Sequence, residues 1–227
     1  MSYTHIKEYS DNPKWMFHHH HRANTRKPED GCLYFGWELE FEASERYCSE
    51  PLESIAKEIK SRYKWLWVKR DGSLRNGFEI VSHPGTAAWH FANQKNVDEL
   101  YSFLKSKGMF CASLFGSGEG GNAHIHMNRS FFDNDEQIVE YERLILAEMK
   151  KPVGYDGLQF GNGSDYCKWE KNPCLLSGCA RYFAVAYKQS THTIEVRCLS
   201  DSPSTISDSI RTLAGFVRQA KYGQENK

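Results

Sequence analysis

No run of apolar residues in this chain approaches the length of a membrane span, and the opening MSYTHIKEYSD lacks the apolar core of a secretory signal. Excess charge is missing too. The 29 Lys and Arg balance 29 Asp and Glu, which removes any global electrostatic case for nucleic acid or an anionic membrane as partner. The seven cysteines, at 32, 48, 111, 167, 174, 179 and 198, form an odd count without a CxxC pair. They read as reduced thiols packed as small apolar groups, not as a disulfide framework. Cys167, Cys174 and Cys179 lie close in sequence, but their spacing matches no common zinc knuckle. No internal repeat or low-complexity linker divides the chain. These absences leave a soluble, cytoplasmic protein as the expectation. What is present supports a real core: 227 residues, 40% hydrophobic and 14% aromatic, suit one good-sized domain.

The strongest local pattern is residues 34–42, YFGWELEFE. Trp37, Leu39 and Phe41 point one way and Glu38, Glu40 and Glu42 the other, the two-residue period of a half-buried strand. Residues 65–70, 77–83, 109–115, 123–128, 182–187 and 193–199 read as further strands. Helices are predicted over 51–64, started by Ser49 and Pro51, over 89–107, ended by Gly108, and over 133–150 and 204–222. In the second of these, Phe91, Val97, Leu100, Tyr101 and Leu104 form the expected buried face. Several connections are too short for parallel crossovers. The reading is therefore α+β: a curved, mostly antiparallel sheet with helices on one face. Residues 31–222 make one domain, between an irregular segment 1–30 and a tail 223–227. His18–His21 in the first segment is an imidazole cluster able to catch a metal incidentally. The turn-rich residues 153–177 read as a loop excursion.

Four predicted strands carry donors of one kind. Glu38, Glu40 and Glu42 share a face of the first, and Glu79 lies on the next, followed by Val81 and Ser82. His124 and His126 share a face of the third, and Glu195 and Arg197 of the fourth. A lone HxH or ExR is more often structural than functional. Four such faces in one sheet point to a site. Clustered Glu and neutral His are ligands for hard or borderline divalent ions. The spacing along one strand suits neighbouring metals sharing a pocket, the arrangement that clamps a transferring phosphoryl group, with Arg197 as a fork-shaped donor to phosphate oxygens.

The ordered set GxExE (36–40), DGSL..GFEIVSHP (71–84), GNAHIHMN (121–128), Arg181-Tyr182 and TIEVR (193–197) resembles the amidoligases of the carboxylate–amine ligase superfamily, which includes glutamine synthetase and glutamate–cysteine ligase. The likeness covers about residues 33–200. It implies a glutamine synthetase-like incomplete antiparallel barrel with helices on its outer face, and an ATP- and magnesium-dependent ligase, with manganese as the substitute ion. Position by position it implies metal ligands at Glu38, Glu40, Glu79, His124 and Glu195. His126, Arg197 and Glu40 fall where the nucleotide phosphates are bound, and Arg197 and Arg181 where charge is stabilised as phosphoryl moves. Asp71 and Ser73 match a D.S turn assigned to the amine or acceptor side, with Asp71 the candidate base. Ser82 and Glu42 are the remaining candidate substrate contacts. Relatives of this kind occur in bacteria and their phages. The partners implied are a small-molecule or peptide carboxylate and an amine, with oligomerisation open.

The chemistry agrees with the residue types. A carboxylate is a poor electrophile until phosphorylated, and that step gathers several anions that must be screened by cations. Residues 116–121, GSGEGG, have the GxxxxG spacing, but Asn122-Ala123 follows where a P-loop needs Lys and Ser or Thr, which disfavours a Walker-type NTPase. Two other readings of the same cluster stand beside the ligase: a metal-dependent hydrolase or phosphotransferase, and a degenerate nucleotide-binding protein.

Overall fold

The computed structural model describes residues 32–69, 74–112, 123–149, 184–188, 193–200 and 203–223. Strict alternation builds the central strand β1 (Phe35–Ala43), with Phe35, Trp37, Leu39 and Phe41 all turned into the core. Along one edge β1 pairs with β3 (Gly77–Ser82), which is flanked by β2 (Leu66–Lys69). Along the other it meets β4 (Met109–Cys111) at one end and β5 (Ala123–Asn128) at the other. Beyond β5 lie β7 (Thr193–Leu199) and then β6 (Val185–Lys188). The order is β2-β3-β1-β5-β7-β6, with β4 beside β1, and every pair is antiparallel in a curved, open sheet. The α+β expectation holds at this level.

The core lies on one face of that sheet. Leu66, Val68, Phe78, Ile80, Ile125, Met127, Ile194 and Val196 join the odd-numbered residues of β1 in a single apolar cluster. Helix α1 (Leu52–Arg62) packs Leu52, Ile55, Ala56 and Ile59 into it, as the helical spacing predicts. The last two helices, α4 (Asp135–Met149) and α5 (Pro203–Tyr222), contribute Ile138, Tyr141 and Ile145, and Ile206, Ile210, Leu213 and Val217. Val81 belongs to no part of this cluster; it packs with Trp67 on the opposite face. That opposite face carries the carboxylates.

The helix expected over 89–107 is two. Helix α2 (Ala87–Ala92) is capped by Thr86, whose Oγ1 accepts from Trp89 N at 3.2 Å, and α3 (Gln94–Ser106) starts afresh after Asn93. Asn93 makes the break stable. Its Nδ2 donates to Trp89 O at 2.8 Å and its Oδ1 accepts from Asn96 Nδ2 at 2.8 Å. The break changes the buried face: His90 turns inward, and Phe91, expected in the core, is 58% exposed with the Arg211 guanidinium over its ring. Gly108 closes α3 at φ +74°, a conformation that favours glycine. Among the described residues no helix is long and apolar enough to cross a membrane.

Candidate metal centre

Strand register decides which donors meet. Glu38 of β1 lies across from His124 of β5 on one side and Val81 of β3 on the other. His126 lies across from Glu195 of β7, and Glu40 across from Glu79, which in turn faces Lys69 of β2. The β5–β7 register shifts between Ala123 and Ile125, so that an extra β7 residue is accommodated beside His124. Such bulges re-aim side chains next to functional sites.

The distances are short and consistent. His126 Nε2 is 3.4 Å from Glu38 Oε1 and 3.6 Å from Glu195 Oε1. His124 Nδ1 is 3.6 Å from Glu38 Oε2 and 3.4 Å from Glu195 Oε1. Two ligand atoms each about 2.1–2.2 Å from one ion lie roughly 3.0 Å apart at an octahedral angle and roughly 3.5 Å apart at a tetrahedral one. The tightest set is Glu38, His126 and Glu195, all three buried, whose ligand atoms lie within 4.8 Å of one another. His124 approaches the same two carboxylates from outside that set.

The donor chemistry also fits a cation. His126 Nδ1 and Thr193 Oγ1 are 3.0 Å apart. The tautomer that donates from Nδ1 to Thr193 leaves Nε2 as an acceptor, facing two carboxylate oxygens. Three ligand atoms turned on one another at this distance, all nearly withdrawn from water, suit a proton or a metal between them. A mixed set of two carboxylates and an imidazole could hold a divalent cation: carboxylate oxygens suit Mg²⁺ and Mn²⁺, and imidazole suits Zn²⁺ and its neighbours.

Two further cations border the pocket. Lys69 Nζ is 2.8 Å from Glu79 Oε1 and 3.6 Å from Glu38 Oε1, and Arg197 Nη1 is 3.1 Å from Glu195 Oε2. Burial alone would raise the Glu38 carboxyl; where a proton and not a metal occupies His126 Nε2, the charges of Lys69 and His126 and hydrogen bonds from both histidines outweigh burial and hold Glu38 well below the usual carboxylate range. Glu79 goes the other way: burial first, and then the neighbouring Glu38 charge, push it well above that range despite Lys69. Of these two carboxyls, Glu38 is the one poised to stay ionised.

The remaining candidates are distributed as follows. Glu40 shares the pocket face beside Glu79. Glu42 lies at the far end of β1, where its Oε1 accepts from Arg75 N at 3.0 Å; it braces the turn before β3 at the rim. Ser82 has the parity of Phe78 and Ile80 in β3, and its buried Oγ accepts from Trp37 N at 2.9 Å on the core side of the sheet. Asp71, Ser73 and Arg181 lie outside the described residues, as do His18–His21, Cys167, Cys174, Cys179 and the loop 116–121.

Two participants escaped the sequence reading. Lys69 was legible in principle, because Leu66 and Val68 alternate with Trp67 and Lys69. Thr193 opens the strand in phase with Glu195 and Arg197. No protein-family model matches the chain, and no curated protein matches it.

Proposed function

We propose that this protein is an ATP- and divalent-metal-dependent carboxylate–amine ligase that forms an amide or peptide-like bond through an acyl phosphate. The observation that carries this reading is the convergence of Glu38, His126 and Glu195 from three strands, with His124, Lys69 and Arg197 around them. The order of motifs shared with the glutamine synthetase-like amidoligases supports the choice of reaction.

In this scheme a carboxylate oxygen of the acid takes the γ-phosphoryl group and ADP leaves; the amine nitrogen then attacks the acyl carbon, releases phosphate and loses a proton. Glu38, Glu195 and His126 would hold the ion, with His124 beside them and Glu40 on the nucleotide side. A divalent ion there supplies positive charge that screens the anionic reactants. Arg197 braces Glu195, and its guanidinium would set positive charge beside the phosphoryl oxygens. Burial of the pocket strengthens each of these interactions by excluding water. Arg181, as a second phosphate contact, and Asp71 and Ser73, on the amine side, are assigned by resemblance alone.

The test is ADP and phosphate release with Mg²⁺ or Mn²⁺ against panels of carboxylic acids and amines, using hydroxylamine to capture any acyl phosphate as a hydroxamate. Amine-dependent ADP release with hydroxamate formation supports the ligase. Nucleotide or ester hydrolysis indifferent to amine moves the reading to a hydrolase or phosphotransferase of the same cluster. Failure to bind both ATP and divalent metal removes catalysis from the reading.

A further inference from the structure

We propose that the ammonium of Lys69 takes the place of a second metal ion, so that the pocket holds one divalent cation on its histidine side and a built-in cation on its Glu79 side. This rests on the metal reading of the same site and changes its stoichiometry: the spacing of the glutamates along β1 suggests paired ions, and the cross-strand neighbours do not.

Lys69, Glu79 and Glu40 stand in one row across β2, β3 and β1. Parity in β2 puts Lys69 on the carboxylate face, opposite Leu66 and Val68, which enter the core. From there Nζ reaches 2.8 Å from Glu79 Oε1 and 3.6 Å from Glu38 Oε1, with its side chain only 16% exposed. A divalent ion using these same two oxygens would lie roughly 2.0–2.6 Å from each. That position overlaps the space of the ammonium, and two cations cannot share it.

The histidine side is different. There, Glu38 and Glu195 face imidazole nitrogens at 3.4–3.6 Å, and an imidazole lone pair invites a metal where an ammonium repels one. Glu38 is the hinge between the halves, since its Oε1 faces both Lys69 and His126. A compact point charge on a flexible stem also suits the role better than a guanidinium fork. The consequence is a pocket whose Glu79 half is charge-compensated at any metal concentration and whose other half alone responds to metal supply.

The experiment is Mn²⁺ stoichiometry on the full chain without nucleotide, by equilibrium dialysis and by electron paramagnetic resonance of bound ions. Wild type is expected to hold one Mn²⁺ per chain with no Mn–Mn coupling. Lys69→Met is expected to hold two, with coupling between them. Lys69→Gln keeps a donor for Glu79 without the charge and is expected to behave the same way, so it serves should Lys69→Met fail to fold. Two ions in wild type overturn the role of Lys69 and leave the metal site standing. A folded lysine variant that still binds one ion overturns it as well. No bound ion in wild type overturns the metal reading itself.

Discussion

Glu38 serves two neighbours of opposite kind, an ammonium on one side and imidazoles on the other, and its ionised form depends on both. Replacing it by Gln keeps the volume and removes the charge. Glu38→Gln is therefore expected to weaken Mn²⁺ binding by at least about a hundredfold. The metal-free protein should remain folded, because Gln keeps the volume and Lys69 still has Glu79 Oε1 at 2.8 Å. Calorimetric titration alongside circular dichroism checks both halves; an unfolded variant, or unchanged affinity, would sink the ligand assignment. Thr193 acts through His126: its hydroxyl, 3.0 Å from Nδ1, holds the ring in place and can accept the Nδ1 proton when Nε2 binds a metal. Thr193→Val should cost about ten- to a hundredfold in Mn²⁺ affinity, and Thr193→Ser should restore most of it, since the hydroxyl is what holds the ring. A purely structural role would leave affinity untouched in both.

At the scale of elements, the site depends on β1 and β3 keeping register, because one residue of slip would send Glu38 and Glu79 to the core face. Gly77 guards that register at the start of β3. A Cβ there would lie 2.1 Å from the Phe41 carbonyl oxygen, a backbone atom with no room to yield. Gly77→Ala is expected to destabilise the protein by about 2 kcal/mol or more, seen as a lower denaturation midpoint, with metal affinity reduced in parallel. Helical elements show the converse lesson. The apolar spacing of residues 89–107 predicts one continuous helix, but Asn93 satisfies the backbone of an interrupted one, and the interruption turns Phe91 outward and His90 inward.

That inward turn has a consequence for the whole molecule. His90 is buried against the first residue of β1, its Nε2 2.8 Å from Phe35 O, the same carbonyl that accepts from Gly85 N. Burial lowers the imidazole from 6.5 to about 4, and the hydrogen bond to Phe35 opposes this only in part. Between those values the unfolded chain takes up a proton that the folded chain refuses. Stability is therefore present in full above about pH 6.5 and is lost as pH falls toward 4. At about 1.4 kcal/mol per tenfold difference in proton affinity, the loss from this residue is roughly 3 kcal/mol. Denaturation midpoints measured from pH 7 to pH 4 should show it as the difference between wild type and His90→Gln, which should lack most of this slope. Parallel curves for the two proteins would rule it out.

Much of this was written in local pattern. Alternation in YFGWELEFE assigned three glutamates to one face of one strand, and the same two-residue period placed His124 with His126 and Glu195 with Arg197. It also carried signals that were easy to pass over: Ser82 has the wrong parity to stand beside Glu79, and Lys69 the right one. Period is a property of a single strand, set by backbone geometry, and needs no partner to be read. Which strands became neighbours, and in what register, was settled by burying Trp37, Ile80, Ile125 and Val196 in one core. Only that packing set Lys69 across from Glu79 and His126 across from Glu195, because pairing over such sequence distances is selected by the sum of core contacts and not by any residue's own preference.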